Sequence, residues 1–416
     1  MMDELGGNNR ACNGHHLAWI YCGLLTESLD ASTWLRTVDE LRRSGWRVTL
    51  IAAGKGGHQQ IGGVDVLCFP RPEVYLLRQV AFHLRVLRWL IAEIRAVDVI
   101  LFHEMSAPWM LMLRTVFRFM RGQHPLMVMD TRSLPMEDRE QESRKERVRG
   151  AAFWIANRIG NVCADGRVAI TGRMAQMLNI PEGILWGTWP SGVDIEPFAS
   201  ACLKRRWPVA DDSVVLVYHG SQHRERNLLT LCRAVMVANA KGMSFVLSLV
   251  GGGNQHSELA AFAAEAEGAI RVLPSVPHGQ IPDLLGEAHV GVVPFPDENK
   301  FRVSSPIKLF EYMAAGLPIL ATRVVCHTDV VGEGDYVFWA EDAGEEGLLA
   351  GLTQVWESRR SLPVMGRHAT LASKAWTWAE SAKKLGLALE KGMKKTRRGA
   401  TRFVGRDAGS AIGRTI

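Results

Sequence analysis

Residues 304–322, SSPIKLFEYMAAGLPILAT, combine an anion-binding pattern with a single acid in an otherwise apolar run. Pro306 has the fixed φ angle that suits the first turn of a helix. Ser304 and Ser305 precede it as candidate N-cap residues, with hydroxyls and amides available to a ligand. Gly316 then ends the predicted helix, and a short buried strand follows. The stretch therefore predicts a cap, a helix, a tight turn and a strand, in that order.

Lys308 and Glu311 place opposite charges on one face of this predicted helix, because residues three apart are neighbours on a helix surface. The helix N-terminus carries a partial positive charge and unpaired N–H groups, which attract anions. A cation for phosphate and a carboxylate for hydroxyls, one turn apart, fit a sugar nucleotide. The alternative interpretation is a structural helix–strand junction of the kind that any α/β protein contains.

Basic side chains also follow a glycine turn farther upstream. A strand predicted over 214–218 leads into Gly220, and Arg224 and Arg226 follow where the next helix is predicted to begin. Guanidinium groups at a helix N-terminus are suited to a diphosphate. The alternative is a set of exposed loop charges without a ligand.

Three consecutive glycines end the strand predicted over 244–250. Because they lack side chains, Gly251 and Gly253 would let the backbone approach a ligand closely. A glycine triplet alone is a weak signal, and ordinary turn formation is its alternative explanation.

The stretch 304–322 resembles the signature of family-four glycosyltransferases, which are retaining enzymes with the GT-B fold. The segment WPSGVDIEPF at 189–198 resembles the hinge between the two domains of that family. The resemblance implies an α/β protein in which two Rossmann-like, doubly wound domains face a central cleft. It also shows a departure, because Val303 replaces the second family glutamate, eight residues before Glu311. This departure concerns the donor sugar more than the fold.

The resemblance implies a role for each of the charged residues in this half of the chain. Glu311 would bind the donor ribose, while Arg226, together with Arg224 and Lys308, would neutralise the leaving phosphates. The glycine triplet would match the family's G-x-G turn. Backbone groups around 274–276 would hold the nucleobase, which leaves uracil, guanine and adenine open.

Two polar residues follow predicted strands in the first half of the chain. His103 comes directly after the strand predicted over 98–102, and Asp130 after the one over 126–129. Ligands of open α/β sheets bind outside the carboxyl ends of the strands. The resemblance implies that His103 lies near the donor sugar and that Asp130 lies beside the cleft. The alternatives are a strand-end histidine without a ligand and a structural pair of Asp130 with Arg132.

The chain of 416 residues is too long for one typical core and suits two domains. We predict an acceptor-side domain over 1–189, a nucleotide-sugar-binding domain over 190–390, and a basic, disordered tail over 391–416. In this fold the last helix often crosses back to the first domain.

Composition and cysteine spacing indicate a cytoplasmic protein. The seven cysteines form no C-x-x-C pair, the first residues lack a signal pattern, and no apolar run is long enough to span a membrane. The net charge of +6 comes largely from the tail, whose basic residues are suited to peripheral contact with an anionic membrane at its inner face. Solubilisation of the chain is the alternative role of the tail. No nucleic-acid-binding module is recognised.

These patterns predict a glycosyltransferase that moves a sugar from a nucleoside diphosphate sugar to an acceptor hydroxyl. The resemblance implies retention of configuration, no cofactor and no metal, and a saccharide or lipid-linked saccharide acceptor in polysaccharide or glycolipid biosynthesis. Two alternatives stay open. One is a non-catalytic sugar-nucleotide-binding subunit, and the other is a sugar-nucleotide epimerase of the same fold.

Overall fold

The structure is a computed structural model of the 416-residue chain. It describes residues 14–27, 31–72, 74–120, 124–135, 144–209 and 212–409.

The first half of the chain builds an eight-stranded sheet in the order β3-β4-β2-β1-β5-β6-β7-β8. All neighbouring strands are parallel except β3, which runs antiparallel to β4 at the edge. The central strands are continuous apolar runs because helices cover both faces of a parallel sheet. The strands are β1 (His16–Leu24), β2 (Arg47–Ala53), β3 (Gly57–Ile61), β4 (Val64–Phe69), β5 (Val99–Phe102), β6 (Leu126–Thr131), β7 (Gly166–Ala169) and β8 (Leu185–Thr188).

Helices connect these strands and lead out of the first sheet. They are α1 (Ala31–Arg43), α2 (Tyr75–Ala92), α3 (Ala107–Phe119), α4 (Arg144–Cys163), α5 (Gly172–Met177) and α6 (Ile195–Lys204). The two faces of the sheet form separate cores. Leu17 and Trp19 of β1 pack with α1 and the last helix of the chain, whereas the alternate residues Ala18 and Ile20 pack with α2, α3 and α4.

The second half builds a six-stranded, fully parallel sheet in the order β11-β10-β9-β12-β13-β14. Its strands are β9 (Val214–His219), β10 (Phe245–Val250), β11 (Ile270–Leu273), β12 (Val290–Val293), β13 (Ile319–Thr322) and β14 (Val337–Ala340). Its helices are α7 (Leu228–Ala240), α8 (His256–Glu265), α9 (Ile281–Gly286), α10 (Asn299–Arg302), α11 (Ile307–Ala314), α12 (Val325–Val331), α13 (Glu345–Glu357), α14 (Leu362–Ser373) and α15 (Trp378–Gly409).

Two crossing segments join the halves side by side. The backbone N–H of Val193 donates to Trp376 O, and that of Trp378 donates to Val193 O. Gly192 allows this approach, since a Cβ there would lie 2.7 Å from the backbone nitrogen of Trp378. Helix α15 then packs against α1 and β8 of the first half, with Leu385 fully buried.

The predicted tail over 391–416 is wrong in its first part. Helix α15 continues to Gly409, Met393 is buried, and Arg397 donates to Asp98 of the first half. Met393 and Gly392 pack this basic segment against Trp186 of β8, a contact that the charge content of the segment does not indicate. Residues 410–416 lie outside the described residues.

The fold is therefore α/β, with two doubly wound sheets, as the sequence predicts. Within the described part of the chain, every helix is too short or too polar to cross a membrane.

Candidate functional site

The carboxyl ends of β9 and β10 meet at a tightly packed glycine turn. Gly220 has a φ of +119° and Gly251 a φ of +149°, and a Cβ on Gly251 would lie only 1.8 Å from Gly220 O. A Cβ on Gly253 would lie 2.4 Å from Gln222 O. These glycines are required because the two loops touch backbone to backbone. The structure therefore brings all three predicted glycines together.

Helix α11 begins beside this turn, but its start differs from the prediction. Its N-cap is Pro306, and no side chain caps it. Ser304 Oγ donates to Phe301 O, and Ser305 Oγ accepts from Ser191 N at 3.0 Å. The predicted capping by these serines is wrong, since one hydroxyl stays in its own turn and the other binds the hinge. Their assignment as ligand-binding residues stays a prediction.

Glu311 lies within α11 with both carboxylate oxygens in contact with imidazoles. His278 Nε2 is 2.9 Å from Oε1, and His219 Nε2 is 3.2 Å from Oε2. The contact with His219 lacks hydrogen-bond geometry. Glu311 is only 4 % exposed, so His278 covers the side of the carboxylate from which a ligand would approach.

The pKa values of the two histidines shift in opposite directions. Burial lowers the pKa of His219 to about 4, so this ring is neutral near pH 7. The hydrogen bond to Glu311 raises the pKa of His278. Burial pushes the pKa of Glu311 upward, but the contact with His219, the hydrogen bond with His278 and the charge of Lys308 outweigh it and hold that pKa below its ordinary value. Glu311 is therefore an anion at neutral pH.

Two of the three predicted phosphate-binding cations lie around Tyr218, the residue next to the strand end. Lys308 Nζ is 5.3 Å from the centroid of the Tyr218 ring, and a Cβ on Gly220 would lie 2.6 Å from that nitrogen. Arg226 Nε donates to Ser221 Oγ at 3.2 Å, and the Tyr218 hydroxyl donates to Ser221 O. Both cations thus lie at the glycine turn.

Arg224 is directed elsewhere. Its guanidinium forms an ion pair with Glu258 at 3.0 Å, and both side chains are largely exposed. Arg226 instead packs over the rings of Phe295 and Phe301, at 4.8 and 5.2 Å from their centroids. Of the two arginines, only Arg226 is held at the turn, by its contacts with Ser221, Phe295 and Phe301.

A second polar cluster lies at the carboxyl ends of β5 and β6 in the first half. His103 packs edge-on against Trp34 with ring centroids 4.6 Å apart, and its buried Nε2 has no hydrogen-bond partner. Burial lowers the pKa of His103 to about 3, so the ring is neutral and acts as a hydrogen-bond donor or acceptor. Asp130 is fully buried and accepts a hydrogen bond from Trp189 Nε1 at 3.1 Å.

Two carboxyl groups of this cluster have raised pKa values. Burial raises the pKa of Asp130 to about 6, although Arg132 and Arg167 oppose the shift. Burial and the charge of Asp130 raise the pKa of Glu104 to about 7. Oδ2 of Asp130 has no hydrogen-bond partner, which leaves one oxygen of a buried acid unsatisfied.

The hinge connects the two clusters. Arg132 stacks on the Trp189 ring at 3.6 Å and donates to Trp189 O and Ser191 Oγ, at 3.2 and 3.3 Å. Ser191 N in turn donates to Ser305 Oγ just before α11. Asp130 and Arg132 thus both contact Trp189 of the hinge, and the hydrogen bonds through Ser191 fix the start of α11 relative to β6.

Val303 fills the position of the missing family glutamate. Its side chain is 2 % exposed and packs with Phe153 and Met174 of the first half. Its backbone carbonyl accepts from Thr171 Oγ1 at 2.8 Å. The residue therefore contributes to the contact between the two halves.

His219, His278 and Glu104 were not among the predicted site residues. His219 looked like a loop residue but ends β9. His278 is 33 positions from its partner Glu311, so no local pattern could pair them. Glu104 follows His103 directly, and its place at a strand end was a usable signal. Among the described residues, no cluster of His, Cys, Asp or Glu has the arrangement of a metal site.

Comparisons with known proteins concern the fold and the family of the chain. A family profile described as "Glycosyl transferases group 1" matches residues 213–358. A search of curated proteins gave no significant match.

Solved structures match nearly the whole chain. Sucrose-phosphate synthase from Thermosynechococcus elongatus is 15% identical, with a TM-score of 0.68 over 93% of this chain and 100% of that one. The catalytic domain of starch synthase IV from Arabidopsis thaliana, bound to ADP and acarbose, is 12% identical, with a TM-score of 0.67 over 91% and 99%. Anabaena HepE in complex with UDP-glucose is 14% identical, with a TM-score of 0.66 over 90% and 99%.

Residues 213–358 therefore resemble a group 1 glycosyltransferase domain, and the whole chain has the two-domain GT-B fold. The resemblance to family-four GT-B glycosyltransferases is thereby confirmed.

Proposed function

We propose that this protein transfers a glycosyl group from a nucleoside diphosphate sugar to an acceptor hydroxyl, with retention of configuration and without a metal ion. One observation carries the proposal. Two cations, Lys308 and Arg226, lie at a tightly packed glycine turn, and the buried anion Glu311 lies one helical turn from Lys308.

The cations and the helix tip act on the leaving group. Departure of the nucleoside diphosphate places negative charge near Lys308, Arg226 and the N-terminus of α11, which stabilise it. A divalent metal usually neutralises such charge, so two fixed cations support metal-independent transfer. Glu311 accepts hydrogen bonds from the donor ribose once His278 moves aside.

The first half of the chain receives the sugar and the acceptor. Neutral His103 binds a sugar hydroxyl, because its Nε2 is buried without a partner. Asp130, with a pKa near 6, is suited to exchange a proton near neutral pH. We assign the reaction to polysaccharide or glycolipid biosynthesis, with a saccharide or lipid-linked saccharide as acceptor.

Related structures guide the choice of donor. HepE holds UDP-glucose and starch synthase IV holds ADP. UDP- and ADP-sugars are therefore the first donors to test. The proposed compartment is the cytoplasm, because the cysteines that the structure describes are free thiols.

Measurements of nucleotide-sugar binding and of turnover test the proposal. We expect one nucleotide sugar to bind and to be hydrolysed slowly without acceptor, with the released sugar keeping its anomeric configuration by NMR. Chelator should leave turnover unchanged. Glu311→Gln should weaken donor binding, whereas Glu258→Gln, which removes the ion-pair partner of Arg224, should not. Inverted product, or turnover abolished by chelator, would contradict the proposed mechanism.

A second candidate is a non-catalytic sugar-nucleotide-binding subunit. Val303 favours it, because the position that carries the second glutamate in the family is occupied by a buried apolar residue. Tight donor binding without hydrolysis or transfer on any acceptor would support this candidate. Even slow turnover of the bound nucleotide sugar would reject this candidate, provided that the turnover is lost in Glu311→Gln.

A further inference from the structure

Helix α2 is apolar on both its inner and its outer side. Phe82 and Val86 pack against the first sheet, as expected for a covering helix. Leu77, Leu84 and Ile91, however, are spaced by seven residues, lie on one face, and are 58 %, 53 % and 50 % exposed. This outer stripe has no partner among the described residues.

Helices α3 and α4 extend the same surface. They cover the same face of the sheet as α2, and their inner residues share its core. On their outer sides Phe119 is 89 % exposed, Val162 85 %, Ile155 58 % and Met112 54 %. Exposed apolar patches of this extent on a soluble protein mark an interaction site. We call the exposed residues of these three helices the α2–α4 surface.

The charges of this surface have a single sign. Among residues with described side chains, α2, α3 and α4 contain arginines and no Asp or Glu. Arg85, Arg88, Arg118 and Arg158 are all exposed beside the apolar stripe. Apolar side chains flanked by arginines are the pattern of an interfacial membrane contact, in which the guanidinium groups meet anionic headgroups.

A cavity of about 240 Å³ opens between α3 and α4 on this surface. Leu111, Phe117 and Val162 supply apolar walls, and Arg118 and His124 supply basic groups. Apolar walls with basic groups match a lipid chain and its anionic headgroup.

We propose that the α2–α4 surface binds an anionic lipid bilayer. A second copy of the chain fits poorly, because a symmetric contact would place arginines against arginines. Nucleic acid also fits poorly, because its phosphates would desolvate against Phe119 and Val162 without any gain.

The position of the α2–α4 surface relative to the cleft links membrane contact to the acceptor. Parallel strands end where the following helices begin, so the start of α3 lies beside His103, and Met105 between them is 42 % exposed. A bilayer that also contacts the start of α3 would lie beside the cleft edge that we assign to the acceptor. This last step rests on the proposed function and fits a lipid-linked acceptor.

Vesicle co-sedimentation of the full chain tests the proposal. We expect binding to phosphatidylglycerol-containing vesicles, weak binding to pure phosphatidylcholine, and loss of binding in high salt. The double variants Arg85→Glu/Arg158→Glu and Leu84→Ser/Ile155→Ser should each bind at least about ten-fold more weakly. Arg367→Glu/Leu371→Ser on α14 changes the same residue types on another exposed helix and should bind as the unchanged protein does.

Two further measurements separate the outcomes. Circular dichroism, thermal unfolding and nucleotide binding should be unchanged in all three variants, so their effects on vesicles do not depend on folding or on the donor site. Equal vesicle binding by all variants would overturn the proposal, as would the absence of any anionic-lipid binding. If the protein self-associates and Leu84→Ser/Ile155→Ser abolishes that self-association, the surface binds a second copy of the chain, and the proposal is overturned.

Discussion

His278 Nε2 lies 2.9 Å from Oε1 of Glu311, so a histidine covers the carboxylate that we assign to the donor ribose. The histidine comes from the loop before α9 and faces Arg36 and Asp194, which themselves form an ion pair at 3.1 Å. A ribose hydroxyl must compete with this imidazole for the carboxylate. The strength of the contact between His278 and Glu311 therefore sets part of the donor affinity.

We predict that donor affinity rises with pH above the ordinary histidine pKa of 6.5. The hydrogen bond to Glu311 raises the pKa of His278, so the charged pair is complete below 6.5 and is lost as pH rises through the raised value. Loss of the pair frees the carboxylate. Calorimetry with the donor should show that affinity increases across this range.

His278→Ala should remove this pH dependence and bind the donor more tightly at pH 6. His368→Ala is the matched control, because His368 forms a similar exposed pair with Asp335 away from the site. An unchanged pH profile in His278→Ala would show that the imidazole does not compete with the donor.

The glycine turn should tolerate substitution at only one of two neighbouring positions. Gly251→Ala places a Cβ 1.8 Å from Gly220 O at a φ of +149°, so we expect a loss of about 2–4 kcal/mol in the free energy of unfolding. Gly252→Ala meets only the flexible Ser275 side chain at 3.3 Å and should cost less than about 1 kcal/mol. Urea unfolding measures both. Similar losses for the two variants would mean that the close backbone contact does not exist in solution.

The sequence predicted both sheets and most of their strands, because parallel strands are continuous apolar runs with turn residues at their ends. It failed where tertiary contacts override local preference. The glycine-rich surroundings of Gly57–Ile61 are typical of a loop, yet this segment pairs with β4 as an edge strand. Val330 and Val331 are β-branched, which is typical of strands, yet they end α12.

The candidate site was predictable to a similar extent. Residues that act through their own loop or helix, such as Gly220, Lys308 and Glu311, could be found from spacing. Contacts between distant segments could not. Nothing local indicates that Ser305 binds the hinge at Ser191, or that His278 covers Glu311. The position of Val303 was visible in the sequence, but its packing against the first half was not.

The two arginines of the β9–α7 loop should differ in their effect on the donor. Arg226→Gln removes a cation from the glycine turn, and we expect UDP or ADP to bind about ten- to a hundred-fold more weakly, since hydrogen bonds to charged groups are strong. Lys308→Gln should have a similar effect. Arg224→Gln should change affinity by less than about two-fold, because Arg224 pairs with Glu258. Equal losses at Arg224 and Arg226 would place the diphosphate elsewhere in the loop.

Asp130 should make the protein less stable as pH rises through the acid range. Burial raises the pKa of Asp130 from 3.8 to about 6. A group with a raised pKa contributes its full stability below the unfolded value, here 3.8, and loses it as pH rises through the folded value. The shift corresponds to about 3 kcal/mol. Asp130→Asn keeps an acceptor for Trp189 Nε1 but does not titrate.

We therefore expect urea unfolding of Asp130→Asn to show a flatter pH dependence between pH 4 and 6 than the unchanged protein. Asp329→Asn, at an exposed aspartate paired with Arg173, serves as the control and should leave the slope in place. Parallel pH profiles for the unchanged protein and Asp130→Asn would mean that Asp130 is ionised in the fold. In that case its proposed proton exchange near neutral pH would fail as well, because a carboxylate with an ordinary pKa has no proton to give at pH 7 and is only a weak base toward an acceptor hydroxyl.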